Sequence, residues 1–133
     1  KIVQTLGPVW DKVTQAVGAG PCLVKNGEIY MTTLGEEFGS DVAGGRAPRT
    51  ALGLTREGKA LLVVVDGRRR SSVGFTLLEL AQFMLEQGAV EAMNLDGGGS
   101  SQMIVGDQIV NTPSDGRERR LGAGIAVVKV KRQ

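Results

Sequence analysis

A chain of 133 residues, 41% apolar and carrying a net charge of +2, suits one domain with a real hydrophobic core. Aromatic content of 4% argues against a base-stacking nucleic-acid binder, and the absence of histidine excludes Ser-His-Asp and Cys-His catalysis, HExxH zinc sites and any histidine base. Cys22 is the only cysteine, which excludes an internal disulfide, and no apolar run approaches the ~18 residues of a membrane span.

Taken in order, the spacing of Val9, Trp10, Val13, Ala16 and Val17 predicts a short helix stopped by Gly18 and Gly20, with Trp10 and Val13 in the core. Cys22 sits in an apolar run and reads as a small core residue rather than a nucleophile. Asn26-Gly27 between Pro21–Val24 and Glu28–Met31 is a two-residue hairpin signal. Thr33–Arg46, rich in glycine and acids, reads as a surface loop that leaves Glu36, Glu37 and Asp41 in solvent. Arg49–Thr55 and Lys59–Val65 are strands joined by Arg56-Glu57-Gly58, hence antiparallel. The continuous apolar run Leu61–Val65 predicts a central strand buried on both faces.

Arg68–Ser72 is a basic loop, solvated or holding an anion. Thr76-x-x-Glu79 fits a capping box that opens a helix striped by Leu77, Leu80, Ala81, Met84 and Leu85 and stopped by Gly88. Ala89–Leu95 is the next strand. Gln102–Val105 and Gln108–Asn111 form a second hairpin around Gly106-Asp107, Asn111–Arg120 is a polar loop, and Leu121–Val130 reads as a final strand. The fold class expected is α/β, mixed α+β: a twisted mixed sheet with a βαβ crossover, hairpins and flanking helices. One domain over residues 1–133 is expected.

The crossover matters for chemistry. Strand, helix, strand from Leu61 to Leu95 predicts parallel strands, so Asp66-Gly67 and Asp96-Gly97 fall on one sheet edge. Arg49, opening the antiparallel partner strand, falls there too. The stretch Ala92–Ser101, AMNLDGGGSS, runs a strand into an acid, three glycines and two serines. Open sheets put ligands at such an edge, and Gly97, Gly98 and Gly99 let backbone amides face an anion. Ser100 and Ser101 add hydroxyls. Two carboxylates with an arginine and an amide nest suit a phosphorylated or phosphodiester-linked sugar. In this reading Asp96 is nucleophile or base, and Asp66 is its partner or orients Arg49. Arg49 and Arg68 hold the phosphate, while Asn94 and Asp115 bind sugar hydroxyls or merely finish a strand and a turn.

RTALGL, LLVVVDGR, TLLELAQFMLEQGAVEAMNLDGGGSS and VNTPSDGRER, in that order and with AVGAGPCLV before them, resemble the phosphodiester glycosidase family from about Ala16 onward. The resemblance implies a mixed-sheet fold and hydrolysis of a sugar-1-phosphate diester, phosphodiester α-N-acetylglucosaminidase-like, releasing the sugar and leaving a phosphomonoester. It implies a glycan substrate in the envelope or outside the cell. Carried onto this chain, its motif positions are Arg49, Thr50, Asp66, Gly67, Arg68, Thr76, Glu79, Asn94, Asp96, Gly97, Gly98, Gly99, Ser100, Ser101, Asn111, Ser114, Asp115, Gly116 and Arg119. Members usually carry an upstream Asn-Gly-Gly-Phe-Phe-like segment, so either part of the family domain lies before Lys1 or this copy has a reduced site. They also often have Asn-Ala in the last strand where this chain has Leu121-Gly122-Ala123-Gly124.

No cofactor is required on this reading. Mg²⁺ or Ca²⁺ on Asp66, Asp96 and Asp115, as in a metal-dependent phosphodiesterase, is one alternative. A non-catalytic module that binds anionic glycans is another. Neither nucleic acid nor a membrane is an expected partner.

Overall fold

The computed structural model describes residues 12–129, Leu34 excepted. Strands β1 (Cys22–Lys25), β2 (Glu28–Ile29), β3 (Arg49–Thr55), β4 (Ala60–Val65) and β5 (Ala89–Asn94) form a five-stranded sheet in the order β2-β1-β5-β3-β4. A four-residue helix, α1 (Ser40–Ala43), and the longer α2 (Leu77–Glu86) interrupt them, and β6 (Ile104–Val105) and β7 (Gln108–Ile109) form a separate hairpin. This is an α+β fold. Every ladder is antiparallel.

Local chemistry explains most of these elements. Asn26 and Gly27 take φ of 55° and 79°, the pair of positive values that a type I′ hairpin turn needs. In α2 the Thr76 hydroxyl accepts from the Glu79 amide at 3.2 Å, while the Glu79 carboxylate accepts from the Thr76 amide at 2.9 Å. That reciprocal pair satisfies two amides that a helix start leaves open. Leu77, Leu80, Ala81 and Met84 then face the sheet and are buried with Leu23, Val24, Ala51, Ala89 and Ala92. Leu85 is only half-buried and packs at the margin of this core.

The α2 crossover leaves β4 and β5 running the same way, as expected, but not side by side. Each is antiparallel to β3, which lies between them, with Arg49 opposite Val65 and Gly53 opposite Ala92. β4 is therefore an edge strand rather than the central one its apolar run suggests, and Leu62 is 38% exposed. The reason is the order of pairing. The β3–β4 hairpin takes one side of β3, and β5 takes the other.

Two further expectations differ from the structure. Of the helix expected over 9–17, Val9 and Trp10 lie outside the described residues. Residues 12–17 form no α-helix, and Val13 and Val17 are 43% and 49% exposed. So short a segment gains helicity only when its apolar face is buried. The strand expected over 121–130 is likewise absent among its described residues, 121–129, where Val127 is 81% exposed. The loop expected over 33–46 holds α1. Among the described residues no helix is long and apolar enough to cross a membrane.

Candidate active site

The ends of β4 and β5 and the start of β3 meet at one edge of the sheet. Arg49 lies opposite Val65, and the Leu95 amide donates to the Thr50 carbonyl at 2.8 Å. Chain leaving β5 passes through Asp96 and turns tightly at Gly98–Ser100, where the Gly98 amide donates to the Pro48 carbonyl at 2.9 Å. Gly98 has φ of 60°, and a Cβ there would lie 3.2 Å from Arg68 Nη1. A Cβ on Gly99 would run into the Asp115 carboxylate. The turn thus has room for an arginine on one residue and an acid on the next because both are glycine.

A cleft of about 570 Å³ opens at this edge. Arg49, Arg68, Asn94, Asp96, Gly97, Gly98, Gly99, Ser100 and Arg119 line it, so nine of the predicted site residues come together there. Asp66, Thr76, Ser101, Asn111, Ser114 and Asp115 are not part of its lining.

Asp96 is exposed and takes part in neither ion pair formed among the described residues, which are Arg46–Glu79 and Arg119–Asp115. Arg119 donates to Ser100 Oγ at 3.0 Å and to Asp115 Oδ2 at 3.3 Å, which fixes its guanidinium against the glycine turn. Arg68 reaches the same turn at Gly98. Asn94 is 3% exposed, and its Nδ2 donates to the carbonyls of Gly20 (2.8 Å) and Leu95 (2.9 Å). Its Oδ1 is buried with no hydrogen-bond partner among the described residues, and Ser114 Oγ shares that state. A buried acceptor without a donor costs free energy.

Arg49 is 3% exposed and donates to three carbonyls: Nε to Phe75 (3.0 Å), Nη1 to Val42 (2.9 Å) and Nη2 to Gly45 (3.1 Å). Burial, and secondarily the nearby Arg68 charge, pull its pKa down. Its geometry ties α1 and the turn after it to β3. Asp66 accepts from Asn111 Nδ2 at 3.0 Å and from the Thr112 amide at 2.9 and 3.1 Å. Asn111 also donates to the Ser101 carbonyl (3.0 Å) and accepts from the Met103 amide (2.8 Å). This network anchors the loop that carries Asp115 and Arg119 to the end of β4. Thr50 Oγ1 donates to Ser101 Oγ at 3.2 Å, and Thr76 and Glu79 cap α2.

Two refinements bear on the expected amide nest. The Gly98, Ser100 and Ser101 amides donate to the Pro48, Gly97 and Gly98 carbonyls, so they are already engaged. Among the described residues no three His, Cys, Asp or Glu side chains gather at metal-ligand spacing. Sequence reasoning missed the wall formed by Gly18–Gly20, Phe38 and Val42. No periodicity marks that stretch. The Gly20 amide, which donates to the Asn94 carbonyl at 2.8 Å, joins it to the end of β5.

An antiparallel sheet, a glycine turn at its edge and a cleft lined by Arg49, Arg68 and Arg119 describe the site. Comparison with known proteins names the lineage: the chain belongs to the phosphodiester glycosidase family, whose model matches residues 1–128. It is 36% identical over 102 residues to the bovine N-acetylglucosamine-1-phosphodiester alpha-N-acetylglucosaminidase, covering 70% of this chain and 19% of that protein. The catalytic domain of the zebrafish enzyme, auto-inhibited by pro-peptide, superposes with a TM-score of 0.63 at 31% identity, over 74% of this chain and 34% of that one. A hypothetical protein from Synechocystis superposes with a TM-score of 0.72 at 34% identity, over 82% of this chain and 20% of that one. The chain thus spans about a fifth of its bovine relative.

Proposed function

We propose that this chain carries the hydrolytic site of a phosphodiester glycosidase, with a sugar-1-phosphate diester as substrate and N-acetylglucosamine as the expected sugar. The observation that carries the reading is Asp96, an exposed carboxylate outside any ion pair among the described residues, lining the same cleft as Arg68 and Arg119.

Arg68 and Arg119 hold the phosphodiester, the latter oriented by Ser100 and Asp115. Asp96 attacks the anomeric carbon and water then hydrolyses the glycosyl–Asp96 ester, or Asp96 takes a proton from water that attacks directly. The C1–O bond breaks, its electron pair stays on the phosphate oxygen, and the products are the free sugar, a phosphomonoester and one released proton. A phosphate is a good leaving group, so little acid assistance is needed, in keeping with a chain that has no histidine. Asn94 offers its unpartnered oxygen to a sugar hydroxyl or acetamido N–H. Arg49 and Asp66 act through the loops they anchor. No cofactor enters the scheme. A glycan outside the cytoplasm, which the family resemblance implies, completes the reading.

The test is incubation with N-acetylglucosamine-1-phospho-6-mannose, with and without EDTA, for this chain and its Asp96→Asn variant, with products identified by mass. Free sugar that survives EDTA and vanishes in the variant is expected. Full turnover by Asp96→Asn refutes the mechanism, EDTA-sensitive release points to metal-dependent cleavage, and binding without turnover points to a glycan-binding module.

A further inference from the structure

Arg68 and Arg119 line the cleft, but other arginines on the same two loops do not. Residues 66–72 and 111–120 together carry six arginines against three acids, although the whole chain nets only +2. The two loops are stitched to each other, because the Asp66 carboxylate accepts from Asn111 and Thr112. Both also reach the cleft, since Arg68 packs over Gly98 and Arg119 donates to Ser100. Arg69, Arg70, Arg117 and Arg120 are exposed, and none enters the two ion pairs formed among the described residues. They are exposed charges on the two loops that carry Arg68 and Arg119 to the cleft.

Long exposed cations beside an anion cleft attract further anions, and on a chain of regularly spaced phosphates each one neutralised releases counterions. We infer that the ligand of this surface is a polyanionic glycan with several phosphodiesters in series: one repeat sits in the cleft while its neighbours lie along Arg69, Arg70, Arg117 and Arg120. The inference rests on the proposed site for the chemistry of the repeat. Single-stranded nucleic acid presents similar charge but needs aromatic platforms for its bases, and aromatics make up only 4% of this chain.

The probes are a synthetic six-repeat oligomer of N-acetylglucosamine-1-phosphate, a single-repeat diester and a DNA hexamer-length strand of equal charge. Affinities are measured by fluorescence anisotropy at 50 and 200 mM salt on the intact chain. At a slope of roughly 0.7 per phosphate, five neutralised phosphates, one in the cleft and four along the exposed arginines, predict an affinity drop of about 130-fold for the six-repeat oligomer, against about 3-fold for the single diester. The quadruple variant R69Q/R70Q/R117Q/R120Q should bring the oligomer down to the single-diester behaviour while leaving single-diester binding unchanged. Equal salt dependence for oligomer and single diester, an unaffected quadruple variant, or DNA binding as tight as the oligomer would each overturn the inference. None of these readouts requires bond cleavage. Oligomer preference without turnover therefore counts against the hydrolytic reading and in favour of this surface.

Discussion

Removing the Asp66 carboxylate separates a positioning role from a catalytic one. In the structure it receives two donors, Asn111 Nδ2 at 3.0 Å and the Thr112 amide at 2.9 Å, and it does not line the cleft. Hydrogen bonds to a charged acceptor contribute about 1.5–3 kcal/mol each, and partial exposure here favours the low end. Asp66→Ala should therefore cost about 3 kcal/mol. For a domain of this length, at ~4 °C per kcal/mol, Tm should fall by about 12 °C. The Thr112 amide should exchange with solvent at least tenfold faster, as an opening free energy lower by ~1.4 kcal/mol requires. Asp66→Asn keeps one acceptor oxygen and should lose about half as much. Its turnover should stay within roughly tenfold of the parent, because a positioning residue can be partly replaced by an isostere. Thermal unfolding, amide exchange and kcat on one preparation decide the matter. An Asp66→Asn protein that melts with the parent but turns over about a thousandfold more slowly would refute the reasoning and make Asp66 a reacting group.

Three other outcomes follow from the same contacts. Leu80→Ala, at a fully buried position facing the sheet, should destabilise by about 3 kcal/mol in denaturant titration without altering the cleft. Gly99→Ala drives a methyl into the Asp115 carboxylate and should dislodge the Asp115–Arg119–Ser100 chain, lowering turnover more than tenfold while the protein still folds; an unchanged kcat/KM would contradict the role given to Arg119. Glu79 sits below the ordinary glutamate range, chiefly because the Thr76 amide donates to its carboxylate, with Arg46 adding to the effect. A carboxylate held down in the fold stabilises it above the unfolded pKa, and that contribution is lost as pH falls through the folded value. Glu79→Gln should therefore lie below the parent in Tm near neutrality and converge with it as pH falls through the lowered Glu79 pKa.

Features legible in the sequence are those whose cause is local. Asn26-Gly27 and Gly106-Asp107 mark turns because few residue pairs tolerate that backbone, and both hairpins form where expected. Thr76-x-x-Glu79 marks a helix start through two hydrogen bonds three residues apart. The convergence of Arg49, Asp66 and Asp96 at one edge was legible because it follows from chain direction alone. Neighbour order was not. Leu61–Val65 is apolar whether it sits at the centre or the edge, and only the competition for the two sides of β3 decides. Side-chain partners were not legible either. Arg49 next to a glycine loop reads as a phosphate ligand, yet the carbonyls of Val42, Gly45 and Phe75 occupy its donors. Asn111 reads as a hairpin end and a motif position, and its link to Asp66, 45 positions earlier, exists only once β4 and the last loop have come together.

The central claim is that Asp96 and the arginine-lined cleft direct water to the anomeric carbon rather than to phosphorus. Hydrolysis of N-acetylglucosamine-1-phospho-6-mannose in ¹⁸O-labelled water tests it directly, with the isotope read on the phosphomonoester. The account predicts an unlabelled phosphomonoester and label on the sugar, because the C1–O bond is the one that breaks. Label on the phosphate would mean attack at phosphorus and would contradict it.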